Sequence, residues 1–163
     1  MQIDSLPHLD EHATLIAADT DRVWPHLTDV VERSFSRRGM SEYARLISAA
    51  DPVTSGPRPL TEGSTFPGFH VATAIPGRTL TLRGSHRFST YALIFRLEPA
   101  EPGRSRLRAE TRAAFPGLTG GLYRQILLTS GGHVIGVRRM LATVRRRSEQ
   151  DRPERGYGPY RQS

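Results

Sequence analysis

Hydrophobic and polar residues alternate along residues 69–115, which predicts an antiparallel β-sheet. Four segments repeat every two residues, as strands do when one face is buried and the other is solvated. Turn-forming residues separate them at 76–78 and 98–105. The residues that share the predicted dry face are Phe69, Val71, Thr73 and Ile75; Leu80, Leu82, Gly84, His86 and Phe88; Tyr91, Leu93, Phe95 and Leu97; and Leu107, Ala109, Thr111, Ala113 and Phe115.

The segment before this sheet predicts one strand and two helices. Residues 12–18 read as a strand that joins the sheet edge. Asp19 or Thr20 can cap a following helix, whose apolar side carries Val23, Leu27 and Val30. A second short helix is expected over residues 41–49, and a loop rich in proline, glycine and serine over residues 51–63.

A long apolar-striped helix is predicted to close the domain, from residues 118–121 to about residue 147. Its stripe includes His133 and Val137. Gly131 and Gly132 each weaken a helix by about 1 kcal/mol relative to alanine, so we expect a bend there. The order of elements predicts an α+β fold, in which a curved antiparallel sheet wraps around this helix. We expect a single domain over residues 1–148 and a polar, disordered tail over residues 149–163.

The composition excludes several kinds of chemistry. The 163 residues, enough for one domain with a core, include no cysteine, which excludes disulfides, thiolate nucleophiles, iron–sulfur clusters and cysteine-bound zinc. All 23 basic residues are arginine, which excludes Schiff-base catalysis by a lysine. The N-terminus lacks the apolar stretch of a secretory signal, and no apolar run is long enough to span a bilayer. We therefore expect a cytoplasmic protein.

Positive charge is concentrated at the C-terminal end of the chain. The net charge is +7, and residues 138–163 hold eight arginines against three acidic residues. Such an end can contact nucleic acid or an acidic partner. No aromatic platform, helix-turn-helix or zinc pattern accompanies the arginines, so a solvated helix end is the preferred interpretation and nucleic acid is not the expected partner.

Three stretches together resemble the START-like, or SRPBCC, superfamily, which is also called the helix-grip fold. They are "ATLIAADTDRVWPHLTD" (residues 13–29), the meander "PGRTLTLRGSHRFSTYALIFRLEPAEPGRSRLRAETRAAFPG" (residues 76–117) and the long closing helix. The resemblance covers about residues 10–148. It implies a cavity between sheet and closing helix that holds a hydrophobic or amphipathic small molecule. Some members of this superfamily, such as polyketide cyclases/aromatases, catalyse there, and many only bind.

Two branches of that superfamily do not fit this chain. The Rieske-oxygenase branch needs cysteines, and the branch that condenses amines with aldehydes uses a lysine; both residue types are absent. We therefore expect no cofactor. His8 and His12 are four residues apart, a spacing that suits a metal only on a helix, so no metal site is predicted either.

Three polar side chains are predicted to converge from different elements: His86, Tyr91 and His133. A neutral imidazole can take up a proton and its conjugate acid can donate one near neutral pH. A phenol can hydrogen-bond a carbonyl or a developing enolate oxygen. The trio would suit a cofactor-independent cyclase or dehydratase. The alternative is that each is a buried polar group satisfied by a backbone carbonyl or by water, with no chemistry.

Ten further residues are expected to contact the ligand because they lie on the dry strand faces or on the helical stripes. Trp24 has a second interpretation, as a packing anchor. Two functions of different classes stay open, a carrier without chemistry and an enzyme that uses the polar trio. The ten residues are Trp24, Phe69, Leu82, Phe88, Leu93, Phe95, Thr111, Tyr123, Leu127 and Val137.

Overall fold

One six-stranded antiparallel sheet forms the framework of the protein, with the strand order β1-β6-β5-β4-β3-β2. The computed structural model describes residues 2–151, without the side chains of residues 126–130. After a helical turn at Ile3–Ser5, the elements are β1 (His8–Ile16), α1 (Thr20–Phe35), α2 (Met40–Leu46), β2 (Thr65–Phe66), β3 (Phe69–Ile75), β4 (Thr79–His86), β5 (Ser89–Pro99), β6 (Ser105–Ala114), α3 (Gly117–Ser130) and α4 (Gly132–Gln150).

The strands agree with the predicted alternation except at the two ends of the sheet and in β3, where Thr73 and Ile75 were wrongly placed on the dry face. A register shift after Val71 turns Ala74 toward the core, opposite Leu80, and leaves Ile75 exposed. β1 pairs with β6 at one edge, as expected, but it begins at His8 and ends at Ile16 instead of spanning residues 12–18. β2 was not predicted, because its two residues lie among loop-forming residues. It pairs with the start of β3 across a turn in which Gly68 has a φ of +87°, a conformation that favours glycine.

The first helix follows its sequence signals closely. The Asp19 side chain accepts a hydrogen bond from the Arg22 backbone N–H at 3.0 Å, which caps α1. The helix buries Val23 and Leu27 against the inner face of the sheet. α2 is shorter than predicted and ends at Leu46, two residues before Ser48, which has a φ of +58°.

The predicted long helix is two helices. Gly131 takes a left-handed φ of +62° and separates α3 from α4, so the expected bend is a complete break. α4 buries the predicted stripe of Val137, Met140 and Val144. α3 instead leaves Leu118 and Leu122 exposed. α4 extends two residues into the predicted tail, and residues 152–163 lie outside the described residues.

The main core lies between the inner face of the sheet, α1 and α4. Its largest fully buried side chains include Phe66, Phe95, Leu82 and Leu107. In the described part of the chain, no helix is long and apolar enough to cross a bilayer. The curved open sheet with a long helix at its C-terminal end is the predicted α+β architecture.

The outer face of the sheet is less exposed to solvent than predicted. Leu6, from the segment before β1, packs with Ala92 and Ile94 in a second small core. Beside it, the buried Glu110 accepts hydrogen bonds from Arg96 at 2.5 Å and Arg112 at 2.6 Å. Burial raises the pKa of Glu110, but the hydrogen bonds and charges of the two arginines outweigh it and lower the pKa overall. These arginines hold a buried carboxylate instead of being freely solvated.

Candidate functional site

A pocket opens at one end of the inner face, beyond the main core, with a cavity volume of about 200 Å³. Its walls come from β1, β3, β4, β5 and β6, the end of α1, α2, the first half of α3 and the first turn of α4. The predicted position was between the sheet and the whole closing helix. The observed pocket uses only the end of the sheet near the α3–α4 break.

Strand register explains why the pocket lies at this end. Leu82 pairs with Leu93 on the neighbouring strand, and both are buried in the core. Two residues further along, Gly84 pairs with Tyr91, which pairs with Ala113. On β4 and β5 the inner face therefore changes between these two pairs from aliphatic residues to small, aromatic and polar ones, and on β6 it changes one pair earlier, at Thr111 opposite Leu93. We call the two parts the solid end (Leu80, Leu82, Leu93, Phe95, Leu107, Ala109) and the hollow end (Gly84, His86, Tyr91, Thr111, Ala113).

A continuous series of ring contacts surrounds the pocket. The ring centroids of Phe35 and Phe69 are 4.6 Å apart, and those of Phe69 and Tyr91 are 5.1 Å apart. His86 continues the series, at 5.4 Å from Tyr91 and 5.1 Å from Tyr123. All five rings line the cavity. Such a wall suits the flat face or the edge of another aromatic ring.

Tyr91 is held in place by two glycines. Its hydroxyl donates a hydrogen bond to the Gly68 carbonyl at 2.6 Å. Its ring lies over Gly84, where an added Cβ would be 2.5 Å from a ring carbon. Burial, followed by the charges of neighbouring acidic groups, raises the pKa of Tyr91 well above its ordinary value. Tyr91 therefore stays a neutral phenol whose proton is committed to the protein backbone.

Both ring nitrogens of His86 also have hydrogen-bond partners within the protein. Its Nδ1 accepts a hydrogen bond from the Phe88 backbone N–H at 3.1 Å, and its Nε2 is 3.1 Å from the Ser89 hydroxyl. Acceptance at Nδ1 places the ring proton on Nε2. Burial lowers the pKa of His86, so the ring is neutral at neutral pH. Both nitrogens serve the turn that joins β4 to β5.

Two tyrosines connect the helices beside the pocket. Tyr123 of α3 lies beside Tyr43 of α2, and both line the cavity. Burial, followed by the neighbouring Tyr43, raises the pKa of Tyr123 to about 12. Because α3 packs little against the sheet and leaves two leucines exposed, this contact is one of the few that fix it near the pocket.

His133 reaches the pocket from the first turn of α4, where the break at Gly131 places it. Its Nε2 is 2.9 Å from the Thr111 hydroxyl on β6. Its Nδ1 has no hydrogen-bond partner in the described part of the chain. Of the predicted polar trio, His133 is therefore the member with a ring nitrogen free for a ligand.

The structure brings all three predicted catalytic residues, His86, Tyr91 and His133, to the pocket wall. Three of the ten predicted ligand contacts also line it: Phe69, Thr111 and Tyr123. The others lie elsewhere. Leu82, Leu93, Phe95 and Val137 are buried in the main core, Trp24 packs against that core from α1, Phe88 stacks on Tyr123 behind the wall, and the side chain of Leu127 lies outside the described residues.

Other wall residues were not predicted as pocket residues. Phe35 and Tyr43 come from α1 and α2, which the sequence placed in the fold without a role at the cavity. Leu9 comes from a stretch that was read as preceding the first strand. The sequence did contain a signal for the pocket: Gly84 is the one glycine on a predicted dry face, and it lies where the inner face changes from the solid end to the hollow end.

A second concave surface runs between α1 and α4 on the outside of the protein, with a volume of about 570 Å³. Arg33, Arg37, Arg139 and Arg147 line it. Asp29 pairs with Arg33 at 2.8 Å and with Arg147 at 2.6 Å. Among the described residues, no group of three histidine, aspartate or glutamate side chains could hold a metal ion.

Comparison with known proteins gives matches in structure only. No protein-family model matches the chain, and no curated protein is detectably similar to it in sequence. The Zhui aromatase/cyclase from Streptomyces sp. R1128 superposes with a TM-score of 0.56 at 16% identity, covering 93% of this chain and 98% of that one. CalU16 from Micromonospora echinospora gives a TM-score of 0.53 at 16% identity, covering 92% and 85%.

A third solved structure agrees with these two. Protein CV1439 from Chromobacterium violaceum superposes with a TM-score of 0.53 at 9% identity, covering 86% of this chain and 96% of that one. At such identities the likeness concerns the fold alone, because one fold can host many activities. The chain has the helix-grip fold of the START-like, or SRPBCC, proteins that its sequence resembles.

Proposed function

We propose that this protein binds a small, largely aromatic molecule in the pocket at the hollow end of its sheet. The observation that carries the proposal is the series of five rings, joined by four ring contacts, along a mostly apolar cavity. Ligand pockets are typically lined by hydrophobic and aromatic side chains with a few polar groups. The cavity of about 200 Å³ is smaller than the roughly 300–1,000 Å³ of common ligand pockets, which favours a ligand of one or two rings.

The polar contacts favour binding over catalysis. Two of the three candidate acid–base groups already have protein partners, since Tyr91 donates to Gly68 and His86 uses both ring nitrogens in its own turn. Groups with these bonds fix the shape of the wall more readily than they exchange protons with a substrate. The preferred function is therefore that of a binding or carrier protein.

Ligand binding can be tested by native mass spectrometry combined with organic extraction of the purified protein. Ala113→Leu adds three carbons inside the cavity, and Ala142→Leu adds the same atoms to the exposed side of α4. We expect Ala113→Leu to reduce the amount of co-purifying molecule about tenfold and Ala142→Leu to leave it unchanged. Recovery of equal amounts from both variants, or of no molecule together with no binding of aromatic probes, would contradict the proposal.

The second candidate function is that of a cofactor-independent cyclase or dehydratase. It is favoured by His133 at the cavity wall, whose Nδ1 has no hydrogen-bond partner among the described residues, and by the aromatase/cyclase among the structural neighbours. Once a ligand is known, turnover should be measured for His86→Asn, Tyr91→Phe and His133→Gln. Unchanged turnover in all three would eliminate this candidate.

A third candidate is contact between the basic surface and nucleic acid or an acidic partner. Its support is the arginine-lined groove between α1 and α4, in which Arg37 and Arg139 have no ion-pair partner in the described part of the chain. Binding that weakens steeply with salt, and that weakens further in Arg37→Gln/Arg139→Gln, would support it. Binding that is insensitive to salt would dismiss it.

A further inference from the structure

A polar corner lies where β1, β6 and α4 meet beside the pocket. We use the name for four residues: Asp10, His12, Thr111 and His133. The Oδ1 atom of Asp10 is 3.7 Å from His133 Nε2, and its Oδ2 atom is 3.5 Å from His12 Nε2. A carboxylate thus lies between two imidazoles. Asp10 Oδ1 and His12 Nε2 are both buried without a hydrogen-bond partner.

An irregularity in β1 turns Asp10 inward. The pairing of β1 with β6 runs from His8 opposite Arg112 to Asp10 opposite Thr111, so Leu9 is an extra residue in the ladder. Such bulges re-aim side chains, often next to functional sites. Here the bulge puts Leu9 on the pocket wall and places Asp10 on the inner face beside His133.

The Asp10 and His12 side chains keep 20% and 15% of their surface exposed, but one polar atom of each is buried without a hydrogen bond. A buried carboxylate without partners destabilises a protein, and the outer face shows how this chain satisfies one, with two arginines around Glu110. Asp10 has no arginine partner in the described part of the chain. Unsatisfied buried groups beside a cavity point to a role toward a ligand.

The arrangement favours one position for the ring proton of His133. The Asp10 carboxylate and the Thr111 oxygen both face Nε2, so the proton is favoured on Nε2. Nδ1 is then an acceptor with no protein partner in the described residues. The other titratable groups around the pocket are His86 on β4, Tyr91 on β5, Tyr43 on α2 and Tyr123 on α3, and the first two are committed to protein partners.

We propose that Asp10 is a positioning residue that orients His133 to accept a proton from a weakly acidic hydroxyl of an aromatic ligand, a phenol or an enol. The proposal rests on the proposed function, because it names the residue that binds the polar end of the aromatic ligand held in that pocket. The ligand O–H donates to His133 Nδ1. If transfer is complete, the O–H bond breaks and an N–H bond forms, leaving an oxyanion beside an imidazolium whose charge Asp10 balances.

The test uses two probes with the same rings, 2-naphthol and 2-methoxynaphthalene, of which only the first has a proton to donate. Binding of each to the intact protein is followed by probe fluorescence and calorimetry. We expect the wild type to prefer 2-naphthol about tenfold, the worth of one good hydrogen bond. His133→Gln should remove most of this preference, and Asp10→Asn should reduce it about threefold or more.

Glu11→Gln is the matched control, because Glu11 is the next residue of β1 but pairs with Arg108 outside the pocket. It should leave the preference unchanged. Imidazole ¹⁵N spectra give an independent readout: His133 should be the Nε2–H tautomer in the wild type and a mixture of tautomers in Asp10→Asn. A purely structural Asp10 would not change the tautomer.

The outcomes separate this proposal from the proposed function. Equal binding of both probes to the wild type, a comparison that needs no variant, would overturn the proposal and leave the aromatic pocket standing. An unchanged preference and tautomer in Asp10→Asn would also overturn it. If neither probe binds, the result contradicts the proposed function together with the inference.

Discussion

The two ends of the inner face are built by the same strands but are filled differently. At the solid end, Leu82, Leu93 and Phe95 are almost completely buried against α1 and α4. At the hollow end, the same strands present Gly84 and Tyr91, and α4 has just begun. The difference shows that a cavity in this fold arises where the strand residues change type and where the closing helix is interrupted, two features that coincide at one end of the sheet.

The largest effect is expected when a leucine side chain is shortened to alanine at each end of the inner face. Leu82→Ala should lower the free energy of unfolding by about 2–5 kcal/mol, because the surrounding core cannot collapse into the void. Leu9→Ala should lower it by less than about 1.5 kcal/mol, because Leu9 is half-buried at the existing cavity. Urea denaturation measures both values. Equal losses would mean that the hollow end is packed as tightly as the solid end.

The next test places a methyl group at the boundary between the two ends. Gly84→Ala should destabilise the protein by about 1–3 kcal/mol and displace the Tyr91 ring, because the new Cβ would overlap that ring and the Gly68 carbonyl. Gly136→Ala is the control: it lies within α4, and its Cβ would meet no atom within 4 Å. It should stabilise the helix by up to about 1 kcal/mol. Thermal unfolding and aromatic-probe binding would detect both effects, and a tolerated Gly84→Ala would contradict the assigned packing of Tyr91.

A third test compares a satisfied carboxylate with an unsatisfied one. Glu110→Gln should lower stability by about 1–3 kcal/mol at pH 7, because two arginines lose their charged partner. Asp10→Asn should change stability little or increase it, because no arginine depends on it. Denaturation at neutral pH distinguishes them, and a larger loss for Asp10→Asn would assign Asp10 a structural role.

The same pair predicts a pH dependence. The arginines lower the pKa of Glu110 in the folded protein, so its contribution to stability is fully present above the unfolded value of about 4.3 and is lost as the pH falls through the lower folded value. The stability difference between wild type and Glu110→Gln should therefore be largest near neutral pH and should shrink below about pH 4. A difference that grows on acidification would show that the ion pairs do not stabilise the fold.

The smallest test concerns a single hydrogen bond at the hollow end. Tyr91→Phe removes the bond to the Gly68 carbonyl but keeps the ring, so stability should fall by about 1 kcal/mol. Binding of an aromatic probe should change less than about threefold if Tyr91 acts as wall, since the ring contacts with Phe69 and His86 remain. A loss of binding of tenfold or more, measured by fluorescence titration, would instead assign the hydroxyl a direct role toward the ligand.

Much of the architecture followed from local patterns. The two-residue period identified β3 to β6, a cap at Asp19 or Thr20 predicted the start of α1, and the glycine pair marked the interruption near Gly131. These features depend on neighbouring residues in the chain, which is why the sequence could predict them. The break differed from the expected bend because a left-handed φ at one glycine ends a helix completely.

The site was harder to predict, because membership of the pocket depends on register and on which helix covers which strand. Leu82 and His86 lie on the same predicted face, yet one is in the core and the other at the cavity. Asp10 was missed because its inward direction depends on a bulge, which the alternation of residues does not reveal.

The sequence by itself determined strands β3 to β6, the capped first helix, the apolar stripe of α4 and the aromatic and polar character of the inward residues near His86 and Tyr91. Only the tertiary structure decided that the hollow lies at one end, that His86 and Tyr91 are already hydrogen-bonded, and that Asp10 lies beside His133. The physical reason is distance along the chain: backbone periodicity acts within a few residues, whereas residues 10, 111 and 133 meet only after the sheet has paired and α4 has packed across it.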